Sequence, residues 1–200
     1  MVHPVPALKE TPSQTAGPYV HIGLTPNFAE IAGIYAVDPG ASMLTPDTLG
    51  ERIIISGRII DGAGAAVTDA LVEIWQADAD GHYAASATGF VGWGRQPTNR
   101  EGVFTFETIK PGSVNGPGGV PMAPHISLWI VARGINIGLQ TRLYFDDEAS
   151  ANESDFLLNR IPDPRRRATL IATRQQGDGA PHYRLDIVLQ GDGETVFLDI

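Results

Sequence analysis

Apolar and polar positions change character near residue 51. From there, RIIISGRIID (52–61) is crowded with branched apolar residues, and LVEIWQAD (71–78) reads as a second strand. GVFTFETI (102–109) alternates with period two: Phe104 and Phe106 share one side, and Val103, Thr105 and Glu107 share the other. That alternation predicts a strand with its aromatic side in the core. HISLWIVARG (125–134) and IGLQTRLYF (137–145) are the next two runs, with RGIN as a tight turn between them. HYRLDIVLQG (182–191) and ETVFLDI (194–200) predict a closing hairpin around GDG. Short strands, Gly-rich turns and little helical period argue for an all-β, antiparallel β-sandwich over 51–200. One helix is expected at 163–174, with Asp163 as N-cap and Pro164 in its first position. Residues 1–50 have no such pattern. TPSQTAGPY (11–19) shows neither period, and the segment is expected to be an extended arm packing on another subunit.

Composition narrows the class. The chain is 42% hydrophobic and 18% charged, with 23 glycines and 15 prolines, which suits one turn-rich globular domain with an arm. No apolar run approaches the ~20 residues of a membrane span. The opening MVHPVPALKE has no basic region followed by an apolar block, so no secretory signal is expected. Cysteine is absent, which excludes disulfides, thiolate metal sites and a cysteine nucleophile, and fits a reducing, cytoplasmic location. A net charge of −9 disfavours nucleic acid as a partner, since that affinity rests on neutralising phosphates. The run Arg165, Arg166, Arg167 follows Asp163 and Pro164 and reads as the first turn of a solvated helix.

Candidate chemistry is sparse. No G-x-S-x-G, phosphate loop or dinucleotide fingerprint occurs, and GPGG (116–119) reads as a plain loop. The histidines are His3, His21, His82, His125 and His182, and none forms H-x-H or H-x-x-x-H. Metal sites need three or four converging ligands, so His125 by itself reads as a satisfied, partly buried histidine. Asp146, Asp147 and Glu148 read as a solvated run at a strand end, and Asp78 and Asp80 as turn residues. Arg133, at a strand end among apolar neighbours, suits either a rim position or bidentate binding of a carboxylate.

A family resemblance adds to this. ALVEIWQADADGHY, then TIKPG (108–112), a histidine strand and RLYFDDE follow in order, with TPSQTAGPYVHIG in front and ETVFLDI behind. From about residue 8 onward the chain resembles the intradiol ring-cleavage dioxygenases. The resemblance implies an all-β sandwich that, in catalytic members, holds a non-haem Fe(III) by two tyrosines and two histidines arranged H-x-H. The metal orients and activates a catechol, which O2 cleaves between its hydroxyl-bearing carbons.

Carried over by position, Tyr83 and His125 keep two of the ligands. Val114 stands where the second tyrosine belongs and Ser127 where the second histidine belongs. Met122 stands where the family has a cationic arginine. The resemblance therefore implies a chain with no functional iron and no catalytic residue of its own. It would sit beside a homologous β subunit that binds the Fe(III), in a higher-order α/β assembly acting on protocatechuate and O2. Gly17, Pro18 and Arg133 match positions that line the partner's pocket. Two alternatives stay open: a self-sufficient iron enzyme with unusual ligands, and a sandwich binding module without an enzymatic partner.

Overall fold

The computed structural model describes residues 12–17, 19–83 and 89–199. A short helix α1 (Tyr19–Leu24) precedes strands β1 (Arg52–Ile60), β2 (Leu71–Gln76), β3 (Trp93–Pro97), β4 (Val103–Ile109), β5 (Val114–Asn115), β6 (Pro121–Met122), β7 (His125–Val131) and β8 (Leu139–Phe145). Helices α2 (Ala149–Ser154) and α3 (Pro164–Ala168) lead to β9 (Ile171–Gln175), β10 (His182–Arg184) and β11 (Ile187–Val188). Nine strands form one curled sheet in the order β11-β1-β10-β9-β8-β7-β2-β3, with β4 paired to the other side of β1. The strands β5 and β6 make a separate two-stranded ribbon.

The curl folds the sheet into two facing layers. Ile53, Ile55 and Ile59 of β1 and Phe104 and Phe106 of β4 line one side. Val72, Ile74, Ile126, Leu128, Ile130 and Leu143 face them from β2, β7 and β8. Each such side chain contributes about 1.5–3 kcal/mol through burial, so the alternating pattern decides which face turns inward. Gly57 interrupts the isoleucines of β1 for a steric reason: a Cβ there would lie 1.9 Å from the Leu185 carbonyl oxygen. Residues 38–50 also belong to the sandwich of their own chain. Met43 is in the core, and the Arg95 N–H donates to the Gly40 carbonyl at 2.8 Å.

Several expectations need correction. The sheet is mixed, because β1 runs parallel to β10 and β11, and β8 parallel to β9. The helix expected at 163–174 stops at Ala168. Asp163 does cap it, accepting from the Arg165 N–H at 2.8 Å, but Ile171–Gln175 pair with β8 and β10 as a strand. Tertiary pairing there overrides a helical reading of β-branched residues. The closing hairpin is only half a hairpin. Thr195 donates to the Val188 carbonyl at 2.9 Å, while residues 194–199 form no strand. No helix among the described residues is long and apolar enough to cross a membrane.

The acidic run after β8 also differs from a solvated one. Lys110 donates to Asp147 at 2.9 Å and lies 2.9 Å from Glu148, and the buried Tyr183 hydroxyl donates to Asp147 at 2.7 Å. The cation bound by these carboxylates is therefore the chain's own ammonium, which ties the end of β4 to β8 and β10. Partial burial raises the Asp147 pKa, but the Lys110 and Tyr183 hydrogen bonds outweigh it and hold the carboxyl below its ordinary 3.8. A depressed carboxylate stabilises the fold above its unfolded pKa, and that stabilisation is lost as pH falls through the folded value. Asp147→Asn should cost about 1–2 kcal/mol in urea unfolding at pH 7. The difference from the parent protein should shrink as the pH falls below 3.8.

Candidate functional site

Two places on β7 carry chemistry, one at each end. At its C-terminal end the chain turns through Ala132, Arg133 and Gly134 toward β8, with Ile135 donating back to the Ala132 carbonyl at 3.2 Å. Gly134 supplies the positive φ of 86° that the turn requires. The N-terminal arm crosses this turn. The Gly134 N–H donates to the Thr15 hydroxyl oxygen at 2.8 Å, and the Thr15 hydroxyl donates to the Ala132 carbonyl at 3.2 Å. One side chain thus clamps the backbone on both sides of Arg133.

Arg133 itself is 61% exposed and ion-pairs through Nε with Asp69, whose side chain is only 15% exposed. Asp69 is fixed by the turn before β2. There the Thr98 hydroxyl donates to the Val67 carbonyl at 2.9 Å and accepts from the Ala70 N–H at 3.0 Å. Ala16 and Gly17 line a small crevice with Asp69, Leu71, Val131 and Ala132. Gly17 and Arg133 are therefore brought to one locus, with Asp69 between them. Pro18 lies outside the described residues. Arg133, Gly134 and Asp69 also border an open cavity of about 640 Å³. The wall beside the arginine is less apolar than its sequence neighbours suggest, because a carboxylate from β2's lead-in turn reaches it.

At the N-terminal end of β7 lie the ligand positions implied by the resemblance. A close approach of two loops places Tyr83: a Cβ at Gly81 would meet the Ser113 carbonyl oxygen at 2.1 Å, and one at Gly112 the Ala79 carbonyl oxygen at 2.5 Å. Asp78 behaves as the expected turn residue, accepting from the N–H groups of Asp80 and His82 at 3.0 and 2.8 Å. Tyr83 is 42% exposed and stacks on Trp75, with ring planes 5° apart. Burial raises its pKa, and the Arg142 charge partly offsets this.

His125 is buried, at 3% exposure, and its Nδ1 lies 2.8 Å from the Ala123 carbonyl oxygen. A carbonyl only accepts, so Nδ1 carries the proton. Nε2 is left buried with no hydrogen-bond partner among the described residues. Val114 is buried, pairs with Met122 across the β5–β6 ribbon, and offers no donor atom. Ser127 faces Arg142 directly across the β7–β8 ladder. Arg142 Nη1 lies 3.3 Å from the Tyr144 hydroxyl and 3.7 Å from the Met122 sulfur, and Tyr144 donates to Asp155 at 3.1 Å. Among the described residues no three His, Asp or Glu side chains converge as a metal site. A ferric ion does not fit this set: one phenol is engaged in stacking, one imidazole is the sole nitrogen ligand, and a guanidinium lies among them.

The curled sandwich and the order of its strands point to one family, and comparison with known proteins agrees. The family model described as Dioxygenase matches residues 25–191. The chain belongs to the intradiol dioxygenases. It is 51% identical over 202 residues to the protocatechuate 3,4-dioxygenase alpha chain of Pseudomonas putida, covering 98% of this chain and 99% of that one. It is 34% identical to the protocatechuate 3,4-dioxygenase beta chain of Burkholderia cepacia over 164 residues, covering 74% of this chain and 68% of that one. Among solved structures, the dioxygenase domain of a dioxygenase–carbohydrate-binding protein fusion from Streptomyces sp. SirexAA-E superposes with a TM-score of 0.59. That pair shares 31% identity over 82% of this chain and 96% of the other.

Sequence reasoning missed three residues. Thr15 sits in a stretch with no period, Asp69 in a turn, and Arg142 needs the β7–β8 register before its neighbours are known. Only Arg142 left a signal, as a charged residue between the buried Thr141 and Leu143.

Burial first, and then the Arg142 charge, lowers the His125 pKa to about 4. The imidazole therefore stays neutral through physiological pH. Its unfolded form takes up a proton near 6.5, so stability falls as the pH drops from there toward 4. NMR should show the His125 ring resonances unmoved between about pH 8 and 5.

Proposed function

We propose that this chain is the alpha subunit of a protocatechuate 3,4-dioxygenase. In the assembled enzyme, O2 cleaves protocatechuate between its two hydroxylated carbons to 3-carboxy-cis,cis-muconate. In this reading the Fe(III) belongs to a homologous beta partner, and this chain scaffolds the assembly and lines the partner's pocket. The observation that carries the reading is an asymmetry along β7. The ligand end has lost its donors at Val114 and Ser127, while the Arg133 end is held by Thr15 on both flanks and by Asp69. A chain kept only as a fold has no need of that second arrangement.

The chemistry of the Arg133 end suits the substrate. Protocatechuate carries a carboxylate on an aromatic ring. Pairing with Asp69 engages Nε, and no hydrogen bond among the described residues engages the Nη edge, which is the fork a carboxylate takes bidentately. Asp69 holds the guanidinium in place, and Thr15 holds the strand end that bears it, so little order remains to be lost on binding. A Cβ on Gly17 would meet nothing within 4 Å in this chain, so packing within the chain places no demand for glycine there. A close approach by a partner or substrate supplies one. Packing of the arm on the partner is part of the same proposal, confined to the residues before 38, since 38–50 pack on their own sandwich. Tyr19, Phe28, Ile34 and Val37 support it, since all four are exposed apolar side chains of that segment.

Co-expression with the beta chain tests the reading as a whole. The pair should purify together, carry iron and consume O2 with protocatechuate. This chain alone should be colourless and inactive, and iron-dependent turnover by it would favour the self-sufficient alternative. Within the assembled enzyme, Arg133→Ala should raise KM for protocatechuate about tenfold, equivalent to ~1.4 kcal/mol, with iron content unchanged. Arg133→Lys should recover part of that loss. Unaltered kinetics in Arg133→Ala would take Arg133 out of the pocket.

A further inference from the structure

The decayed ligand pocket is not an empty version of a metal site. Its family positions converge on a residue that none of them predicted. Val114 pairs with Met122, and the Met122 sulfur is 3.7 Å from Arg142 Nη1. Ser127 is the cross-strand partner of Arg142, and His125 pairs one step along with Tyr144, whose hydroxyl is 3.3 Å from the same Nη1. Trp75 is the partner of Ser127 on its other side, and Tyr83 stacks on Trp75. Directly opposed residues in an antiparallel pair point to the same face, so these groups share one surface of the sheet.

We propose that the guanidinium of Arg142 has replaced the metal as the resident cation of this pocket, and that it bars a ferric ion even when the lost ligands are supplied. The claim rests on the ligand positions and the β7–β8 register, and stands whether or not the chain lines a partner's active site. Three observations support it. Arg142 anchors a metal-free network: its Nη1 reaches Tyr144, Tyr144 donates to Asp155, and Asp155 accepts from the Ala123 N–H at 3.0 Å. That network holds β8 to the segment before β7 through protein groups alone. Arg142 Nε is itself buried without a partner among the described residues, as is His125 Nε2. The root of the guanidinium is thus held inside the protein, on a half-buried side chain. Finally, a fixed positive charge beside a phenol and an imidazole opposes a trivalent cation strongly in a partly desolvated site.

The test restores the ligands with and without Arg142, in the full chain purified with its partner. Iron per complex is measured by metal analysis, and the visible tyrosinate-to-iron absorption is recorded. Val114→Tyr with Ser127→His should take up no iron beyond the parent complex. Adding Arg142→Gln, which keeps the length and removes the charge, should admit one further iron per chain and add absorption. Retention of iron should differ by roughly a hundredfold between the two. Adding Arg142→Lys in place of Gln should still exclude the ion. Iron uptake with Arg142 present, uptake equal in the Lys and Gln variants, or no uptake in the Gln variant would each overturn the proposal. If the Tyr substitution prevents assembly, Ser127→His with and without Arg142→Gln is titrated with Co(II), whose visible spectrum reports imidazole ligation. Cobalt binding confined to the Arg142→Gln form supports the proposal, and equal binding in both, or in neither, refutes it.

Discussion

The register of β7 against β8 is the constraint on which the rest depends. Ile126, Leu128 and Ile130 are committed to the core by burial, and that sets His125, Ser127 and Trp129 on the opposite face. A slip of one residue would exchange the two sets and expose three branched apolar side chains, at about 1.5–3 kcal/mol each. Once the register is set, Arg142 must stand opposite Ser127 and Tyr144 opposite His125. The same pairing fixes where the strand ends, and so where Arg133 leaves the sheet. Both chemical features of the chain are consequences of one hydrophobic alternation.

Cations and carboxylates then divide the work of closing the sandwich. Lys110 is shared by Asp147 and Glu148 at one strand end, Asp69 holds Arg133 at another, and Glu73 holds Arg95 at 2.6 Å on the outer face of β2 and β3. These are partly screened pairs, each of modest value alone. Their effect is geometric: each joins segments that are distant in sequence, so the curled sheet is fastened along its edges where hydrophobic burial is weakest.

How much of this was legible in the sequence varies with how local the cause is. The alternation of Phe104 and Phe106, the Asp163 cap and the Asp78 turn are set by neighbours within a few residues, and all appear as the pattern predicts. The parallel pairings of β1 with β10 and β11 were not legible, since they join residues 128 positions apart and no local period distinguishes them from antiparallel ones. The helix expected through residue 174 failed for a related reason, because Ile171 and Ala172 answer to β8. At the site, the family resemblance singled out Tyr83, His125 and Arg133. It was silent on Asp69, Thr15 and Arg142, whose roles exist only once loops and strands from three regions meet.

The length of β7 keeps the arrangements at its two ends independent. His125 and Arg133 are eight positions apart on extended chain, about 26 Å at ~3.3 Å per residue. Substitutions at that distance with no shared partners act independently. The ligand end is held by Arg142, Tyr144 and Asp155, and the arginine end by Thr15 and Asp69, with no residue common to both groups. A change at Val114 or Ser127 therefore carries no structural consequence to Arg133. A sandwich strand of this length can hold a separate set of polar contacts at each end, each closed by its own residues. Asp155 anchors the first end: it accepts from the Ala123, Leu157 and Leu158 N–H groups and from the Tyr144 hydroxyl, so the buried carboxylate is satisfied within its own end of the strand, and Arg142 Nη1 adds a contact to Tyr144.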